Sequence, residues 1–231
     1  MTKAQREHFY QGQFLHLVCV LILLVALFFV SDFPRFDEGA FLGLSTATWI
    51  SLCVGGAILH QVYVWLCWRL ELDGQRFTRF FGKHAFQFFQ FGFAVLIALR
   101  PVFAFALGWS NRATLPIDPW LGFGVAIVLA APSIYLVYSV RKYFGFERAF
   151  GIDHFDETYR DLPLVRKGIF TWTPNAMYVF GFLILWVPGF LFQSVAALAV
   201  AAFSHAYIWV HYYCTEKPDM DRIYGQTDHT L

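Results

Sequence analysis

Charge is what this 231-residue sequence has least of. Asp, Glu, Lys and Arg together make up 14% of it, against about 25% in soluble domains, too little to cover a solvated surface. Those charges are confined to short stretches between long apolar ones. The formal net charge of +1 provides no basic face for nucleic acid. Cysteine is scarce and unpatterned: Cys19, Cys53, Cys67 and Cys214 show no C-x-x-C spacing. The first three fall in apolar stretches, which argues against a structural disulfide or a zinc site. Internal repeats and low-complexity segments are also lacking. The first apolar run is longer than a signal-peptide core and no A-x-A-like site follows it, so it reads as an uncleaved helix.

Apolar residues fill the space. They make up 58% of the chain, with 28 Phe and a mean hydropathy of +0.52. A hydrocarbon core of ~30 Å takes about 20 residues of helix at ~1.5 Å each. Phe14–Val30, Leu42–Trp68, Ala85–Trp109 and Trp120–Val140 each meet that length. The block Ala176–Tyr213 is too long for one crossing. Pro188-Gly189 interrupts it and Phe192-Gln193-Ser194 suits a tight turn, so it reads as a helical hairpin. Pro132 and Pro188 are compatible with membrane helices, where kinks are tolerated. The expectation is an all-α polytopic bundle of about six transmembrane helices. Residues 1–140 would form a four-span scaffold, and residues 141–231 a loop, the hairpin and a C-terminal motif.

Lys and Arg in the short loops set the orientation. Of the 17, all but Arg35, Arg100 and Arg112 fall on one side of this arrangement. That side carries both termini and is therefore expected to be cytoplasmic, in a cell inner membrane or the endoplasmic reticulum.

Polar residues gather in the segment Arg141–Thr173, on that same side, with Glu147, Arg148, Asp153, His154, Asp156, Glu157, Arg160 and Asp161. Two readings stay open: a solvated loop lying on anionic headgroups, or a functional loop, since connections this long are seldom idle. A hairpin returns the chain to the face it left, so the stretch around Asn175–Tyr178 must lie near Glu216. Two polar clusters beside an apolar bundle suit a ligand that is charged at one end and lipidic at the other.

From Leu164 to Gly225 the residues follow the pattern L-V-x-x-G-[IV]-[FY]-x-W-x-x-[HN]-x-x-Y-x-x-G, then a hydrophobic hairpin, then E-x-x-x-x-x-x-[IF]-[FY]-G. This resembles the integral-membrane methyltransferases, among them the isoprenylcysteine carboxyl methyltransferases and the phospholipid N-methyltransferases. Asn175-x-Met177-Tyr178 and Glu216-x-Pro218 lean toward the phospholipid branch. The resemblance implies S-adenosylmethionine as methyl donor and a membrane lipid or lipidated substrate as acceptor. By position it puts Leu164, Val165, Gly168, Phe170, Asn175, Met177, Tyr178 and Glu216 at the cofactor, and His211 and Tyr212 at the acceptor. The chain departs from the pattern in two places. Pro174-Asn175-Ala176 replaces the R-H-P of the carboxyl methyltransferases, and Lys217 replaces the second acid of an E-E pair. The alternative is a non-enzymatic membrane protein that keeps the scaffold with a decayed site.

The other polar residues of the spans have blander readings beside sharper ones. His16, His60, His205 and His211 read as polar glue between helices rather than haem ligands, since His205 and His211, six apart on one helix, point in different directions. Arg100, a costly residue within a span, is either a functional group or one that snorkels to a headgroup. Gln87 and Gln90, near the cytoplasmic entry of that span, read as interhelical hydrogen bonders, with contact to an acceptor headgroup as the sharper alternative. Trp65, Trp68, Trp109, Trp120 and Trp209 fall near span ends, as an aromatic belt does.

Overall fold

The computed structural model describes residues 2–225, and helices dominate it as expected. Among those residues, strand is confined to a two-residue pairing of Ala40–Phe41 with Leu44–Ser45. A short helix α1 (Lys3–Tyr10), closed by a Thr2–Gln5 capping box, precedes α2 (Gln13–Val30). Gly12, at φ +79°, makes the bend between them and presses against the Cys214 carbonyl, leaving no room for a side chain. Ser45 caps α3 (Thr46–Leu72) by accepting from the Thr48 N–H. Short α4 (Arg76–Phe81) leads into α5 (Ala85–Ser110), which runs unbroken through Arg100-Pro101. Asp118 caps α6 (Pro119–Ser139), accepting from the Trp120 and Leu121 N–H groups.

Among the described residues, five helical segments are long and apolar enough to cross a membrane: Lys3–Val30, Thr46–Leu72, Arg76–Ser110, Pro119–Phe144 and Val195–Tyr224. The hairpin is present, but its first arm differs from a regular span. It consists of α8 (Ala176–Gly181), a 3₁₀ turn Phe182–Leu185 and α9 (Val187–Leu191). These 16 residues, Ala176–Leu191, reach about 24 Å at ~1.5 Å per residue. The break lies upstream of Pro188-Gly189. Pro188 sits in the first turn of α9, where its missing N–H has no helical partner to lose. The turn falls at residues 192–194, and Ser194 caps α10 (Val195–His211).

Helix α10 is the centre of the bundle, packed by α2, α3, α5 and the hairpin's first arm, while α6 lies against that arm. Its small residues Ala196, Ala197 and Val200 meet Trp49, Cys53 and Leu107, which lets backbones approach closely. Helices α2 and α6 turn outward Phe14, Leu21, Phe28, Leu121, Val128 and Ile134, an exposed apolar belt of the kind a lipid phase covers.

Asn111 ties the loops at one end of the bundle. Its amide nitrogen donates to the carbonyls of Arg35, Phe36 and Glu38. Its amide oxygen accepts from the Thr114 and Ser194 hydroxyls and the Ala196 N–H. The other end carries α7 (Phe146–Ala149), the loop that follows it, and α11 (Lys217–Tyr224).

Candidate functional site

A buried ionic cluster organises that second end. Arg69, near the end of α3, is completely buried and its Nε lies 2.6 Å from Asp219 Oδ1 on α11. The same guanidinium donates to the His8 and Thr215 carbonyls. His8 is 3.0 Å from Asp73 and 3.3 Å from Asp219. His154 reaches Asp153 at 3.1 Å and Asp219 at 3.6 Å, and its ring stacks on Trp68 with centroids 4.0 Å apart. The Tyr224 hydroxyl donates to Asp153 at 2.8 Å. Burial pushes the His154 pKa down, but the hydrogen bond to Asp153 and the charges of Asp153 and Asp219 outweigh it and hold the group at about 9. Burial likewise pushes Asp153 up, and hydrogen bonds from His154 and Tyr224 bring it below the ordinary carboxylate range. The headgroup-solvated reading of the loop therefore fails for Asp153 and His154, which face inward. Glu157 and Asp161 of the same loop are exposed.

Above this cluster a cavity of about 480 Å³ enters the bundle between α3, α5, α6, the hairpin and α10. Its outer end has Arg148, Asp153, His154, Glu216 and Met220, with the rings of Phe144, Phe146 and Phe150. Its middle is apolar, with Phe93, Ile97, Leu136, Val140 and Ile184. Its inner part has His60, Gln61, Arg100 and His211. Two π-helical turns flank it, Val140–Phe144 after α6 and Tyr212–Glu216 after α10. Such turns insert a residue into the helical register and recur at functional sites. Here they carry the wall residues Val140, Phe144 and Glu216.

Of the residues singled out by sequence, Met177, Tyr178, His211 and Glu216 lie on the cavity wall. The Tyr178 hydroxyl donates to the Glu216 carboxylate, joining the two arms of the hairpin across 38 residues. Leu164, Val165, Gly168, Phe170, Asn175 and Tyr212 do not form the wall. Phe170 stacks on the wall residue Phe144 with centroids 5.0 Å apart, and Tyr212 packs on Tyr178 at 5.2 Å. Gly168, at φ +61°, abuts the Ser139 hydroxyl and the Tyr143 ring; a side chain there would collide with both. Asn175 precedes α8, and Leu164 is 61% exposed. His205 accepts from the Trp186 indole at 3.1 Å inside the hairpin, and His16 lies 2.9 Å from the Tyr207 hydroxyl; both join helices.

Sequence reasoning missed the contribution of α3. Gln61 and Val64 line the cavity, yet in sequence they are ordinary members of a span; Trp68, expected in an aromatic belt, is buried in the same wall. Asp219 and Arg69 were equally hidden, since their pairing joins residues 150 positions apart.

Chemically, the outer end suits a cation. Two carboxylates, Asp153 and Glu216, and a set of aromatic faces attract positive charge through Coulomb and cation–π terms. The apolar middle suits a hydrocarbon or ring system. The phospholipid methyltransferase family model matches residues 121–227, which include α6 from Leu121 onward, the hairpin, both π-helical turns and all of α11. No curated protein and no solved structure matched the chain.

Proposed function

We propose, from the match of the phospholipid methyltransferase family model over residues 121–227, that this chain is an integral-membrane methyltransferase that moves a methyl group from S-adenosylmethionine to a lipid or lipid-linked acceptor at the cytoplasmic face. A phospholipid amine is favoured over a prenylcysteine carboxylate. The observation that carries this reading is the cavity itself. Its volume of about 480 Å³ lies in the range of small-molecule pockets, about 300–1,000 Å³, and its acidic, aromatic outer end matches a cationic donor.

In this reading residues 1–140 form the scaffold and residues 141–231 the cofactor half, although His60, Gln61 and Arg100 of the scaffold also reach the cavity. Glu216, Tyr178 and Met177 hold the donor directly. Leu164, Val165, Gly168, Phe170 and Asn175 shape the segment behind them, and His211 and Tyr212 lie toward the acceptor. S-adenosylmethionine, when bound, supplies a methyl group on an already activated carbon. The protein's part is then to orient donor and acceptor and keep water out, with His211 or Glu216 positioned to take the proton of an amine acceptor. Lys217, the departure from the family's acidic pair, pairs with Asp221 at 2.8 Å on the exposed side of α11. Its reversed charge is off the cavity wall, which favours an intact site over a decayed scaffold.

Calorimetry on the purified protein tests the assignment. S-adenosylmethionine is expected to bind, and Glu216→Ala to weaken it at least ~10-fold, as loss of a charge-assisted hydrogen bond does. Equal affinity in the variant rejects the placement of Glu216; no binding to folded wild-type protein rejects the donor.

A further inference from the structure

The inner part of the cavity holds a positive charge that no carboxylate among the described residues pairs with. Arg100 is 6% exposed, and among the described residues neither Nη1 nor Nη2 has a hydrogen-bond partner. The Phe182 ring lies 4.7 Å from the guanidinium carbon. Gln61, 1% exposed, has an unpartnered amide nitrogen, and His60 has two unpartnered ring nitrogens. All three line the cavity. Asp153 and Glu216, the carboxylates on its wall, stand at the opposite end, and no described carboxylate forms an ion pair with Arg100.

A guanidinium buried without hydrogen bonds is strongly unfavourable, as are the unpaired amide and imidazole donors beside it. Snorkelling does not relieve it, since the side chain reaches no surface. Buried unpaired donors on residues that line one open cavity are satisfied by a ligand that enters the cavity and draws them to it. A forked cation with an amide beside it is complementary to an oxyanion, a phosphate or a carboxylate, which accepts two parallel hydrogen bonds from Arg.

We propose that Arg100, Gln61 and His60 form an oxyanion-binding pole that holds the phosphate or carboxylate group of the acceptor. This rests on the methyltransferase reading for the word acceptor, but the pole stands on its own geometry. Phe182, beneath the guanidinium, follows Tyr178 by four residues, about 6 Å along a helix at ~1.5 Å per residue. Tyr178 in turn holds Glu216. An oxyanion at Arg100 thus lies on the side of the hairpin that leads, through Phe182, toward the Tyr178–Glu216 pair. The substrate class that fits has an oxyanion and a nucleophile separated by a short linker, as in an amino-alcohol phosphodiester, with its tails along the apolar middle of the cavity.

Native mass spectrometry on the full chain in neutral detergent tests the pole, with dioleoylphosphatidylethanolamine, dioleoylglycerol and inorganic phosphate as probes. Wild type is expected to bind the phospholipid at least tenfold more tightly than the diacylglycerol. Arg100→Gln is expected to bring the two within twofold, and Arg100→Lys to retain part of the preference. If phosphate displaces the phospholipid from wild type, the oxyanion alone fills the pole; if it does not, the pole takes its oxyanion from a lipid. Equal lipid preference in wild type and Arg100→Gln, each monodisperse and folded, overturns the proposal. If neither substitution yields folded protein, Gln61→Leu carries the same comparison, and an unchanged preference there overturns it. S-adenosylmethionine affinity, measured on the same samples, is expected to be unchanged by Arg100→Gln. Its absence in wild type would sink the donor assignment and leave the pole's result intact.

Discussion

Single residues in this protein divide by how far their partners lie along the chain. Tyr178 and Glu216 are readable as a motif because a hairpin brings them together, and hairpins follow from hydropathy and a turn. His154 is not readable that way. Its place depends on Asp219, 65 residues later, and on stacking against Trp68, 86 residues earlier. The same contacts make it titrate unusually, at about 9 instead of the ordinary 6.5. Because the folded value is raised, protonated His154 contributes stability that is fully present below pH 6.5 and is lost as pH rises through about 9. The groups facing it are Asp153, Asp219 and Trp68, with Tyr224 beyond Asp153. Thermal unfolding in detergent is expected to show a falling midpoint from pH 6.5 to 9, and His154→Gln to flatten that slope. An equal slope in the variant would show that another group titrates.

Elements in this bundle follow from local signals, and their junctions do not. Ser45, Asp118 and Ser194 are cap residues at helix starts, and each start follows from the preference of Ser and Asp for accepting first-turn N–H groups. The π-helical turns and the 3₁₀ break at Phe182–Leu185 have no such signature. They arise where the bundle demands a register that regular helix cannot meet. Asn111 shows how much one junction can carry, with six hydrogen bonds' worth of partners drawn from three segments. Replacing it by Leu leaves buried carbonyls and a hydroxyl unsatisfied. The expected loss is about 3 kcal/mol or more, read as a lowered unfolding midpoint, with donor binding at the other end of the bundle retained in the folded fraction. An unchanged midpoint would show that water replaces the amide there.

For the whole molecule, the sidedness expected from Lys and Arg is a separate claim from the fold, and labelling decides it. The loops tied by Asn111 share one end, and the ionic cluster and cavity mouth share the other. A membrane-impermeant maleimide is expected to label Asp37→Cys and Arg112→Cys in intact cells. Arg76→Cys and Lys167→Cys are expected to react only after permeabilisation. The reverse pattern would put the cavity mouth outside, away from cytosolic S-adenosylmethionine, and would remove the proposed donor.

The membrane character, the four N-terminal spans to within a few residues, the hairpin and the motif joining Tyr178 to Glu216 were all determined by the sequence alone. Each depends on composition or on spacing along one or two adjacent helices, where hydrophobic burial and helical rise leave little choice. The tertiary structure decided which polar residues share a space. Arg69 meets Asp219, and Gln61, His60 and Arg100 come to line one cavity because α3 and α5 pack against each other and against α10 and the hairpin. In an apolar bundle, lipid-facing and partner-facing surfaces are equally hydrophobic, so the rotation of each helix is set by side-chain packing and leaves little trace in the sequence.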